Sequence, residues 1–321
     1  MSNTVSTATT ATFNVNSGEA TKARPWGLTP TDFIVYLMIA PCLLSYVVFV
    51  YIPVPGMIIA FTDYTLAGYR GMVGFDNFTY MFGLPFFWYA LRNNFMYVGL
   101  GYLFNFPAPI ILAILFNELR IQKFKKTVQT ISTLPHFANW VVIIGIWKII
   151  LDPDWGWVNY MLHIFFNMEP VFFLGNKAIF PFVYVFLSMW KNVGYACILY
   201  LASLASIESS LYEAAAIDGA GRWKQTLYIT LPGLKGIILL QLILSFQGIL
   251  NLFDAMYVLK NAQIKSVAEV IDTYIFSQSI TEGNFSIGAA AGMFKSAFGL
   301  IMLIIVNNLA KLVSDDGRGV F

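Results

Sequence analysis

The sequence predicts an all-α polytopic membrane protein with six transmembrane helices. Three observations predict it. Of 321 residues, 58% are hydrophobic, 17% aromatic and only 11% charged, whereas a soluble domain averages about a quarter charged. The mean hydropathy is +0.68. Six runs reach the roughly 20 mostly apolar residues that a bilayer-spanning helix needs.

The same composition excludes other classes. A disordered chain does not carry this much apolar surface. The 19 Lys and Arg nearly cancel the 17 Asp and Glu, so no basic field for nucleic acid exists. Cys42 and Cys197 both lie in apolar runs and read as small core residues, not a disulfide framework. His136 and His163 are too few and too far apart for a metal site.

The six runs are Phe33–Ala60, Asn93–Phe116, Ile131–Leu151, Phe180–Ser206, Gly236–Tyr257 and Ile287–Leu312. Pro53 and Pro55 should end the regular part of the first near Ile52. Pro107 and Pro109 should kink the second. Residues 1–30 read as a flexible tail, 31–312 as the membrane domain and 313–321 as a second tail. Residues 1–20 hold no Lys or Arg and so lack the basic start of a signal peptide, which makes the first run an uncleaved anchor.

Lys and Arg set the orientation. Lys22, Arg24, Arg120, Lys123, Lys125, Lys126, Arg222, Lys224, Lys235, Lys311 and Arg318 fall on one side of a six-span chain. The opposite side has Arg70, Lys177, Lys260 and Lys265 in loops, with Arg92 and Lys148 at its interface. Both termini should therefore be cytoplasmic. The external loops are long and carry turn and aromatic residues such as Gly71, Gly74, Phe75, Trp155 and Trp157. Loops of this length are usually functional.

The cytoplasmic segment 207–235 is too polar to span yet reads as helical. Ser209 or Ser210 can cap a helix, with Glu213 completing a capping box. Ala214, Ala215 and Ala216 favour the helix, and Gly219 and Gly221 permit a turn. A short amphipathic stretch, Trp223–Thr230, follows, and Pro232 breaks the chain before the fifth span. The expected product is a helix–turn–helix knob whose small residues let a partner approach closely.

Glu213-Ala214-Ala215, then Gly219, then Ile229 and Leu231-Pro232, have the spacing of the EAA loop, and Asp218-Gly219-Ala220 resembles its sugar-importing form. On this motif the chain resembles the membrane subunits of binding-protein-dependent ABC importers. Gly74-Phe75-Asp76-Asn77-Phe78 resembles the external signature of the sugar-importing branch, and Phe106-Pro107-Ala108-Pro109, Leu134-Pro135-His136-Phe137 and Trp190-Lys191-Asn192-Val193-Gly194 are similar to permeases for complex oligosaccharides, the alginate and pectin-fragment importers among them. The resemblance implies a type I importer permease fold in a bacterial inner membrane. It also implies a homologous second permease, two ATP-binding cassette ATPases and an extracytoplasmic solute-binding protein as partners. Glu213, Ala214, Ala215, Asp218, Gly219, Leu231 and Pro232 would then dock in the ATPase. The chain has no Gly-x-x-x-x-Gly-Lys-[Ser/Thr] phosphate cradle, so ATP and Mg would be bound by those partners and no cofactor by this chain.

Polar groups inside spans are costly and therefore informative. Lys191 lies near the middle of the fourth span with Tyr195 at i+4 on the same face. In the fifth, Gln247, Asn251 and Asp254 fall within about 60° of one another at helical spacing. These five residues are the candidate substrate path, with Trp190 and Phe253 as neighbouring aromatics; a bond from Lys191 to Asp254 is the structural alternative. Gly288, Gly292, Lys295 and Gly299 share a face of the sixth span and read as a close-packing stripe. Lys191 and Lys295 suit an acidic oligosaccharide. A secondary transporter would show inverted repeats and several midplane acids, where only Asp254 occurs. A membrane enzyme would need a nucleophile–base set that the two histidines do not supply.

Overall fold

The computed structural model describes residues 30–247 and 250–313, in two units, 1–56 and 57–321. Most of both predicted tails therefore lies outside the described residues, as does the side chain of Gln247.

In the first unit α1 (Pro30–Tyr46) runs into a π-helical turn, Val47–Tyr51. Its side chains from Phe33 onward are exposed, Cys42 included, so Cys42 is not the core residue expected. The regular helix ends at Tyr51, as the prolines require, and a 3₁₀ stretch, Val54–Phe61, completes the apolar run Phe33–Phe61.

The second unit begins with a hairpin of β1 (Thr62–Thr65) and β2 (Gly68–Met72), then α2 (Asp76–Gly83). Asn77 holds this loop by donating to the carbonyls of Ala60 (2.9 Å) and Thr62 (2.8 Å). The second span starts at Pro85, ahead of the predicted Asn93, as α3 (Pro85–Leu100) and α4 (Pro107–Glu118). Between them lies a π turn, Gly101–Asn105. Pro107 has no N–H to give, and the wider turn before it absorbs the missing bond.

The third predicted span is not one helix. It is α5 (Gln122–Phe137) and α6 (Trp140–Ile150), bent by 107°. Ala138 and Asn139 are extended, and the Asn139 side chain caps α6 by accepting from the Val141 N–H at 3.0 Å. That new start costs little, because Asn satisfies one of the orphan donors of a helix N-terminus. After α7 (Trp157–Phe166) comes the fourth span, α8 (Phe180–Leu204), one helix as expected.

The segment after α8 forms α9 (Ser209–Ile217), α10 (Arg222–Gln225), a π turn (Thr226–Thr230) and α11 (Leu231–Gly233). A 56° bend at Leu234 leads into α12 (Lys235–Gln247), so the chain does break after Pro232. The fifth predicted span also fails as one helix: α12 ends at Gln247, Asn251 and Leu252 are non-helical, and α13 (Phe253–Leu259) starts anew. Then follow α14 (Lys265–Ala268), α15 (Ile271–Phe276), a π turn (Ser277–Thr281) and the last span α16 (Phe285–Val313). Among the described residues, four helices are long and apolar enough to cross a membrane, and up to six passes if each bent pair is counted as one.

α8 is the centre of the second unit. Gly194 lets its backbone touch α5, since a Cβ there would collide with the Ser132 carbonyl. On the other side Asn93, fully buried in α3, donates to the carbonyls of Ser266 (3.0 Å) and Glu269 (2.8 Å). Asn94 accepts from the Ile271 N–H at 2.8 Å, and the Tyr97 hydroxyl donates to the Val267 carbonyl at 2.7 Å. Lys260 pairs with the buried Glu269. These bonds fix the 260–271 segment on the second span. The polar residues of α3 thus satisfy backbone groups at the end of the short helix α14 and the start of α15, which could not otherwise be buried.

Candidate functional site

Two breaks meet around α8: the 138–139 bend and the non-helical 251–252 stretch. Between them lies a hollow of about 710 Å³ whose wall includes Trp140, Tyr184, Ser188, Asn192, Asn251, Phe253, Asp254, Asp272 and Lys295. An adjoining hollow of about 540 Å³ shares Trp140, Asn192, Phe253 and Asp254 and adds His136 and Lys191. A third, about 440 Å³, continues along Tyr184, Ser188 and Asn192 to Tyr102, Asn105 and Ser245. Aromatic faces and hydrogen-bonding side chains alternate in all three. Such a mixture of apolar walls and a few placed polar groups is what an oriented small-molecule site requires.

Lys191 is in this region but is not free. It is 7% exposed, and its ammonium donates to the carbonyls of Pro135 (3.3 Å), His136 (2.6 Å) and Ala138 (2.8 Å). Its partner is the end of α5, not Asp254, and the Trp140 ring lies 5.7 Å from the nitrogen. Tyr195 points to the same place but outside the hollows. Its ring stacks flat on His136, 3.9 Å between centroids, and is 48% exposed. His136 Nδ1 meets Asn192 Oδ1 at 3.0 Å, and Asn192 Nδ2 donates to the Ser188 carbonyl.

The predicted stripe of Gln247, Asn251 and Asp254 does not exist as a helical face, because the helix stops between them. Asn251 and Asp254 nevertheless both reach the largest hollow, from the break and from the first turn of α13. Asn251 accepts from Lys295 at 2.8 Å. Lys295 also pairs with Asp272, whose other oxygen accepts from the Leu252 N–H at 3.0 Å. Asp272 therefore stitches the break to the last span. In the glycine stripe of α16 only Gly288 makes a close approach, to Ser279; Cβ positions at Gly292 and Gly299 meet open space. The packing expectation thus holds for Gly288 alone.

From the sequence, Trp140, Ser188 and Asp272 carry no reading, and Asn192 enters only as part of the Trp190–Gly194 motif. Tyr184, Ser188 and Asn192 repeat every four residues along α8, a polar stripe that could have been read. Asp272 lies outside every predicted span and left no such signal.

The 207–235 segment forms the expected hairpin. Its predicted capping box is absent: Glu208 is the N-cap residue, which places Ser209 and Ser210 inside the first turn, and the Ser210 hydroxyl turns back to Glu208 at 3.3 Å. The turn is as expected. Gly219 has φ +76°, Gly219 N–H bonds the Ala216 carbonyl (3.1 Å) and Ala220 N–H the Ala215 carbonyl (2.8 Å). This is a Schellman ending with glycine in the left-handed position. The two arms are joined by Tyr212 and Thr230 hydroxyls at 3.0 Å and by Gln225 donating to the Ala220 carbonyl at 3.0 Å. Arg222 pairs with Glu118 at the end of α4, tying the hairpin to the second span. Glu213, Ala214, Asp218, Gly219 and Pro232 are exposed, Ala215 and Leu231 half-buried. Ile217 (87% exposed) and Trp223 (79%) crown the knob.

Residues 105–315 match the family model described as "Binding-protein-dependent transport system inner membrane component". The chain is 40% identical over 286 residues to the polygalacturonan/rhamnogalacturonan transport system permease protein YteP of Bacillus subtilis (strain 168), covering 88% of this chain and 89% of that protein. It is 39% identical over 288 residues to Protein LplB of the same organism, covering 88% and 90%. Among solved structures it resembles a bacterial ABC transporter involved in the import of the acidic polysaccharide alginate. The TM-score is 0.83 at 33% identity, covering 89% of this chain and 97% of that one.

Proposed function

The chain belongs to the family of binding-protein-dependent transport system inner membrane components, and from that premise we propose that it forms half of the translocation path of an importer for uronate-containing oligosaccharides. It is a permease subunit of a carbohydrate ABC importer in the inner membrane, not an enzyme, and works with a second permease, ATPases and a binding protein. The observation that carries the sugar reading is the hollow around Trp140, Asn192 and Asn251. Rings such as Trp140 and Phe253 suit the apolar faces of a pyranose, and the amides suit its hydroxyls. The acidic character is supported by the relatives for polygalacturonan and alginate. It is not supported by spare positive charge, because Lys191 is bound to carbonyls and Lys295 to Asp272. A substrate carboxylate entering the hollow competes with Asp272 for Lys295.

The test is uptake by the whole complex in liposomes, with galacturonate oligomers against neutral galactose oligomers of equal length. Preference for the acidic set is expected; equal uptake of both refutes the uronate assignment. Asn192→Ala and Asn251→Ala should each lower uptake by about 2- to 13-fold, the worth of one hydrogen bond. Unchanged uptake in both takes the hollow out of the path.

The orientation follows from the Lys and Arg distribution, with the 207–235 hairpin and both termini in the cytoplasm. A cysteine placed near Lys123 should resist impermeant thiol reagents added outside intact cells and react after the membrane is opened. Prompt labelling from outside would invert the topology.

A further inference from the structure

We propose that Lys191 is a positioning residue that holds the broken third span open, and that its charge takes no part in choosing the substrate. The argument begins at Gly194. That glycine brings α8 into backbone contact with α5 at Ser132. Lys191 lies three residues earlier on the same face, so its side chain reaches the end of α5, where the last carbonyls lack helical partners. Three of these converge on one nitrogen, from Pro135, His136 and Ala138, within 2.6–3.3 Å. An ammonium has three protons to donate, and all three have an acceptor here. Its charge also faces the negative end of the α5 dipole.

The consequence is local aim. The capped residues carry the His136 ring, and the next turn carries Trp140, both in the walls of the adjoining hollow. A span that turns through 107° inside apolar surroundings exposes carbonyls that must be satisfied. Water could do this only loosely. One buried cation from a neighbouring helix does it at a fixed geometry.

Two measurements on the assembled complex test this. The first does not depend on the translocation reading, on which the second rests. Spin labels at Phe124→Cys on α5 and Ile149→Cys on α6, with Cys42→Ser and Cys197→Ala, report the angle between the two limbs. The distance distribution should be narrow with Lys191 and broaden in Lys191→Met. Lys191→Arg should broaden it too, because a planar fork does not bring three donors to one point. The second measurement is uptake. Lys191→Met should lose about tenfold or more, the cost of leaving buried acceptors unmet, with the ratio of acidic to neutral uptake unchanged. In a His136→Ala background the further loss should shrink, since both changes act on one face of the hollow. An unchanged distance distribution in both variants overturns the proposal. So does a loss confined to acidic oligomers in Lys191→Met that Lys191→Arg restores. Failure of both variants to assemble also overturns it, by making the lysine a requirement of folding. A broadened distribution with normal uptake in His136→Ala and Asn192→Ala keeps the cap and refutes the path.

Discussion

Gly219→Val should cut uptake severely while the complex still assembles. Gly219 sits at φ +76° and closes the Schellman turn between α9 and α10. A β-branched residue is a severe misfit at positive φ, and such strain costs on the order of 1–3 kcal/mol. The turn can relieve that cost only by opening, which swings Ile217 and Asp218 away from Trp223. No Cβ clash contributes, because the space beside Gly219 is open in this chain. The surface that the family resemblance assigns to the ATPase would thus be misshapen, while the spans above it stay intact. In liposomes, ATPase activity should lose its stimulation by loaded binding protein, and uptake should fall below about a tenth of the wild type, as the upper half of that strain range implies. Gly219→Asn is the control, since Asn tolerates the left-handed region. If Asn is as damaging as Val, the position demands space for the ATPase, not backbone freedom. Full activity in the Val variant would remove the hairpin from coupling.

This turn was legible in the sequence because every element of it is local. Alanines, a glycine and a proline within 20 residues dictate the hairpin without help from elsewhere. The capping box fails for a similarly local reason: the N-cap is Glu208, two residues before the Ser210 that the box needs, and the Ser–Glu spacing falls out of register. The spans were legible as hydropathy but not as geometry. Apolar runs say that a stretch lies in the membrane and nothing about where its helix stops. The two breaks are stabilised by residues far away in the chain, Lys191 for one and Asp272 for the other. A helical stripe presumes a continuous helix, so the Gln247–Asn251–Asp254 argument reached two residues that line the hollow, but for a wrong reason. Lys191 was read as a conspicuous charge in a span, which it is. Its partners are backbone atoms, which carry no sequence signal at all.

Glycine-to-alanine changes along α8 and α16 should have opposite signs at different positions. At Gly194 the new methyl would run into the Ser132 carbonyl, part of a helix backbone that cannot step aside. Overpacking of this kind costs about 1–3 kcal/mol, and more where the neighbour is rigid. The shift would also carry Lys191 away from the three carbonyls it caps, so the two losses compound. Gly194→Ala should therefore lower the yield of assembled complex and its thermal midpoint, and Gly194→Leu should prevent assembly. Gly288, which faces Ser279, should respond in the same direction but less, because that hydroxyl belongs to a side chain that can turn. Gly292→Ala should do the reverse. Its Cβ direction is open, and replacing glycine inside a helix by alanine stabilises by about 0.5–1 kcal/mol. Thermal unfolding of the purified complex reads all three on one scale. A fall at Gly292 as large as at Gly194 would mean that the second permease packs its backbone against α16 there. That outcome would move the subunit interface onto the face that carries Lys295, and with it one wall of the hollow.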